Sequence, residues 1–218
     1  MTKDEALEKG WKIIESACVL YPEEEDKYAI YGNCSVVVIG QSGGAVHGYD
    51  TTTIFSTRQD EGICFSSDKS TLNSVNQSGG NSISEGHATL NSSGQLGGSC
   101  VAHGHSTLNS ICQEDGDCGG YDNATVNSFA QIDGYCEAHD NVTLNSTGQV
   151  SGYCDARGTG ATINATGQLD GDCIAWKGAT INVTNQIGGV CGANDDESTV
   201  NFFPNSEPDQ TSQPGMTY

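Results

Sequence analysis

Histidines, cysteines and acidic residues are the groups in this chain that could do chemistry, and most of them recur at fixed positions of a repeat. His87, His103 and His105 fall at one turn of two successive repeats, and His139 takes the place of His103 two repeats later. Imidazoles one repeat apart could share a transition metal; the alternative is that they are exposed turn residues. Seven cysteines, Cys64, Cys100, Cys118, Cys136, Cys154, Cys173 and Cys191, occupy a single repeat position. No C-x-x-C pair is present, which argues against zinc. Stacked about 4.7–4.9 Å apart, these thiols lie within disulfide range, but side chains pointing the same way meet the required torsion badly. They read as a reduced, buried ladder in which Cys is a small apolar filler.

Acidic residues gather after the Gln of several repeats, at Glu114, Asp115 and Asp117, at Asp133, and at Asp170 and Asp172. Their oxygens suit calcium, yet the nonapeptide pattern of calcium-binding repeats is missing and solvated corners explain the charge equally well. Catalytic signatures are lacking: there is no G-x-S-x-G element, no phosphate loop, and no isolated Cys with a His outside the repeat. The two arginines, Arg58 and Arg157, sit in repeats far apart. The expectation is a non-enzyme that uses no cofactor.

The elements that hold these groups follow from the repeat. Thr returns at Thr71, Thr89, Thr107, Thr125, Thr143, Thr162, Thr180 and Thr199, each with an Asn two residues on, at a spacing of eighteen with two nineteens. A Gln follows, then a Gly three residues later, and in most repeats a Cys two beyond that. A fixed period of this size means stacked units that bury their apolar faces only against neighbours. The fold expected is all-β: a single-stranded parallel β-solenoid of about ten 18-residue coils. Eighteen residues also equal three hexapeptides of a left-handed β-helix, but the apolar spacing here is uneven.

Alternation sets which residues face inward. The neighbours of each Thr, such as Ala124 and Val126 or Ala179 and Ile181, should be buried, as should the Cys and Ala of Cys136 and Ala138. A further inward ladder is expected at Leu96, Ile132, Val150, Leu169 and Ile187. Thr89, Asn91, Thr107, Asn109, Thr125, Asn127, Thr143, Asn145, Thr162, Asn164, Thr180 and Asn182 should then form one outward lattice of hydroxyls and amides, the candidate binding face. Ice-binding or lattice-binding solenoids use a face of that kind. The plainer reading is that stacked Asn amides hydrogen-bond one another and blunt an exposed sheet.

Apolar residues spaced three to four apart between Asp4 and Leu20 predict an amphipathic helix. It is assigned to a cap over residues 1–32, with the solenoid over 33–203 and a loosely ordered tail over 204–218. Val37 and Phe55 stand where later coils have Asn, so the N-terminal segment is expected to cover them.

The net charge of -20, from 28 acidic and 8 basic residues, opposes nucleic-acid phosphates and anionic lipid. Neither nucleic-acid binding nor membrane insertion is expected. The start of the sequence lacks a signal-peptide pattern, which predicts a cytoplasmic protein.

Ala124 to Ser128 and Asn145 to Gln149 resemble the passenger repeats of AIDA-type autotransporter adhesins, whose units run along Ala-Thr-Val-Asn-Ser-Gly-Gly, and the likeness extends over residues 70–201. The resemblance implies a bacterial, right-handed β-helix at the cell surface that binds carbohydrate or protein surfaces and self-associates. A carbohydrate-active β-helix is the third possibility.

Overall fold

The computed structural model describes residues 1–112, 114–130, 132–148, 150–167, 169–185 and 187–203. Five anchoring glutamines, Gln113, Gln131, Gln149, Gln168 and Gln186, and the tail assigned to 204–218 lie outside them.

The chain winds into a parallel β-solenoid with two strands per coil, and like strands stack into two eleven-stranded sheets. One sheet, here the Cys sheet, runs from β1 (Lys12–Ile14) to the strand Cys191–Ala193; the other, the Asn sheet, runs from β2 (Cys18–Leu20) to Thr199–Phe202. Eleven strands in ten steps make a rod about 48 Å long. Register joins like to like: Thr89 pairs with Thr107, Leu90 with Leu108, Asn91 with Asn109, and Cys136 with Cys154. Strands of three to five residues alternate buried and outward positions, so Leu72, Leu90, Leu108, Val126, Leu144, Ile163 and Ile181 fill the core from the Asn sheet. Cys100, Cys118, Cys136, Cys154 and Cys173, with Ala102, Ala138, Ala156 and Ala175, fill it from the other side. Small residues suffice because the interior is one coil wide.

The ladder expected at Leu96, Ile132, Val150, Leu169 and Ile187 faces the other way: all five are exposed, Ile187 by 65%. Before Leu96 it is Gln95 that takes the interior of the corner, and three earlier corners place a Gln in the same way. Gln41, Gln59, Gln77 and Gln95 are fully buried, and buried amides need partners. The Gln77 amide Nε2 donates to the Gly80 carbonyl at 2.7 Å, and its Oε1 accepts from Ser74 and Ser82. Gln59 donates likewise to Gly62 at 3.0 Å. The Gln-x-x-Gly spacing is therefore a hydrogen-bonded corner, which sends the next side chain outward.

The N-terminal helix also differs from expectation. α1 covers only Lys3–Glu8, opened by a capping box between Thr2 and Glu5, and Gly10, at φ +76°, ends it. From Lys12 the chain is already solenoid, so the boundary moves back from residue 33. Ile14 and Cys18, which match helical spacing, lie instead in β1 and β2 and, with Leu20, pack on the solenoid core. Nor does the helix cover Val37 and Phe55. It lies on the outer face of the Cys sheet, where Ala6 is buried against Ala29, Tyr31 and Tyr49, while Phe55 on the opposite sheet stays 44% exposed. Trp11 closes this contact over His47, with ring centroids 4.5 Å apart. Burial pushes the His47 imidazole down to about 4, which leaves it neutral at pH 7.

Candidate functional site

The outer face of the Asn sheet is the most regular surface of the molecule. Thr and Asn alternate with buried residues, so every side chain from Thr89 and Asn91 to Thr180 and Asn182 is partly exposed. The Asn amides form one continuous chain. Asn91 Nδ2 donates to Asn73 Oδ1 at 2.9 Å, and the same bond at the same length joins Asn109, Asn127, Asn145, Asn164, Asn182 and Asn201 each to the Asn one coil before. Each inner amide spends one N–H and one lone pair on its neighbours and keeps one of each for solvent or a partner. The two nineteen-residue coils do not disturb this face, since Thr143 pairs with Thr162 and Asn145 with Asn164, and Thr180 with Thr199 and Asn182 with Asn201. Their extra residues fall in the corners after Arg157 and Ala193, beyond the ends of the Cys-sheet strands.

Charge separates the two sheets. None of the eleven strands of the Asn sheet contains Asp, Glu, Lys or Arg, although the chain carries a net charge of -20. Acids sit instead in corners and on the Cys sheet, where several hold the backbone: Asp50 Oδ2 accepts from Gly32 N, Asp68 Oδ2 from Asp50 N, and Asp117 Oδ1 from Tyr135 N. The Asp117 carboxyl is raised by burial, against the pull of that amide. Asp133 and Asp170 take left-handed conformations, with φ +58° and +54°, which Asp tolerates in turns. The calcium-like acids of the sequence are thus in part turn-forming groups.

The histidines divide into two columns. His87 and His105 stack on each other at 5.3 Å, whereas His103 and His139 stack on opposite faces of Tyr121, each at 4.8 Å. His103 is therefore apart from the other two candidates. No group of three His, Cys, Asp or Glu side chains among the described residues converges as a metal site.

None of the ten cysteines is in a disulfide, and the seven ladder thiols are buried. Burial pushes the Cys64 thiol up to about 12. Hydrogen bonds to the thiols on either side, and then burial, raise Cys136 between Cys118 and Cys154, and Cys173 between Cys154 and Cys191. The hydrogen bond with Cys136 in turn lowers Cys118, so the raised thiols of the ladder alternate with a partner that stabilises them. Since the thiolate is the reactive form, a thiol-alkylating reagent should label exposed Cys112 first in the native protein and the ladder only in denaturant. Labelling of native Cys136 as fast as Cys112 would refute the closed core.

No family model, curated protein or solved structure matches the chain. Function therefore rests on the surfaces themselves.

One grouping escapes the sequence reading. Tyr121, Glu137, His139, Asp155, Arg157 and Trp176 stand together on the outer face of the Cys sheet, brought there by stacking of repeats whose residues are otherwise unlike. Their signal in the sequence is slight: the outward position between Cys and Ala holds Glu137 and Asp155 in adjacent coils, paired in register.

Proposed function

We propose that this chain is a non-enzymatic binding solenoid that lies, through the outer face of its Asn sheet, on an uncharged repeating surface, with a neutral polysaccharide as the favoured partner. The observation that carries this reading is the absence of charge from all eleven strands of that sheet in so acidic a chain. An uncharged lattice of hydroxyls and amides suits a partner that offers hydroxyls at regular intervals and gains nothing from a charged surface. The likeness to adhesin passenger repeats supports the same assignment and, with it, a setting at a cell surface.

The test is co-sedimentation with insoluble cellulose and chitin. Thr107→Lys, Thr125→Lys and Thr143→Lys together should raise the Kd about tenfold, equivalent to ~1.4 kcal/mol, while wild-type binding should change little with salt. Equal binding by the triple variant would remove the face from the function. If the substitutions alter only the sedimentation of the protein alone, the face is a self-association surface.

A second reading, binding to ice, draws support from the unbroken register of Thr and Asn through both longer coils. Thermal hysteresis, abolished by the same three substitutions, is its expected sign, and its absence at high protein concentration would eliminate it.

A further inference from the structure

Asp155 sits on an outward position of the Cys sheet yet is only 5% exposed. Its Oδ2 accepts from Arg157, from Nε at 2.8 Å and from Nη2. Its Oδ1 is buried with no hydrogen-bond partner. One rung on, Trp176 pairs in register with Arg157, and its indole Nε1 is likewise buried and without a partner. A buried polar atom left unpaired costs about 1–3 kcal/mol, and more when charged, so two such atoms of opposite sense in one cluster call for an explanation. On the rung before Asp155, Glu137 Oε2 accepts from the Tyr121 hydroxyl at 3.2 Å and lies 3.4 Å from His139 Nε2. Stacked rings of His103, Tyr121 and His139 flank the carboxylates.

We infer that Tyr121, Glu137, His139, Asp155, Arg157 and Trp176 form a second binding site, for a neutral saccharide, on the sheet opposite the Asn face. A hydroxyl both donates and accepts, so one sugar ring can give a proton to Asp155 Oδ1 and take one from Trp176 Nε1. A metal cation satisfies the carboxylate but not the indole N–H. An anionic sugar meets the repulsion of Glu137 and Asp155 together, against the one guanidinium of Arg157. Rings and indole supply the flat apolar surface on which sugar C–H groups pack. The Arg157 side chain, 49% exposed, is the part of the cover free to swing aside.

This site is independent of the Asn-sheet reading and is tested separately. The full chain has two tryptophans, and Trp176→Phe assigns the two indole N–H resonances by NMR. Titration with cellohexaose, chitohexaose and maltohexaose should give a saturable shift of the Trp176 indole with at least one of them, weakened about tenfold or more in Asp155→Ala. Retention of that shift in the Thr-to-Lys triple variant would separate this site from the Asn face. The inference is overturned if none of the three shifts the Trp176 indole, if the shift persists undiminished in Asp155→Ala, or if trigalacturonate or calcium chloride produces it at lower concentration than every neutral probe.

Discussion

Alanine in place of Gly98 is expected to destabilise the protein by about 3 kcal/mol or more. Gly98 has φ +77°, and a Cβ there would stand 1.9 Å from the Gly80 carbonyl oxygen. That oxygen has nowhere to go. It accepts from the buried Gln77 amide at 2.7 Å and from Ser99 N at 3.3 Å, so moving it breaks the bonds that fix the corner to the coil above. Gly148 supplies the control. It has a similar φ of +68° with nothing within 4 Å of a built Cβ, so alanine there meets only the left-handed backbone penalty of about 1–2 kcal/mol. Urea unfolding of both variants measures the difference. If they unfold at the same midpoint, close packing of corners is not what selects glycine in this column.

The repeat made the winding of the chain legible, because a period held by Thr, Asn, Gln and Gly has one economical physical meaning: each coil repeats the environment of the one before. Alternation around Thr likewise placed Val126 and Ile181 inside. Where polarity was taken as a guide to exposure, it failed at the Gln corner. At Gln95 and Leu96 the buried residue is the amide, of the kind that satisfies turn carbonyls at Gln59 and Gln77, and the exposed one is the Leu. At the N-terminus the apolar residues keep a helical spacing, yet Gly10 with the β-branched pair Ile13 and Ile14 decides for strands after one and a half turns of helix. The Thr and Asn face was visible because it repeats. Asp155 and Trp176 were not, since each occurs once in its column and only the register of the coils brings them together.

Aspartate at position 127 is the sharpest probe of the Asn ladder, because it changes one donor into an acceptor with almost no change of shape. Asn127 donates to Asn109 Oδ1 and accepts from Asn145 Nδ2, both at 2.9 Å. An ionised carboxylate keeps the second bond but sets an oxygen against the Asn109 oxygen, so Asn127→Asp should lose about 2–3 kcal/mol at pH 7. Protonation restores the donor, and the folded state therefore raises the pKa of this carboxyl above its unfolded value of about 3.9. The stability it contributes is fully present below that unfolded value and is lost as pH rises through the raised folded one. Relative to wild type, which carries all the other carboxylates equally, the variant should recover most of its deficit by pH 3.5. Asn127→Leu, which neither donates nor titrates, should show a deficit that does not change with pH. If the two variants run parallel across the titration, the amides stack without bonding and the ladder is held by the strands alone. At pH 7 the same aspartate also places the first negative charge on a face otherwise free of it. Weaker sedimentation with neutral polysaccharide at pH 7, restored at pH 3.5, would then tie the ladder to binding in a single variant.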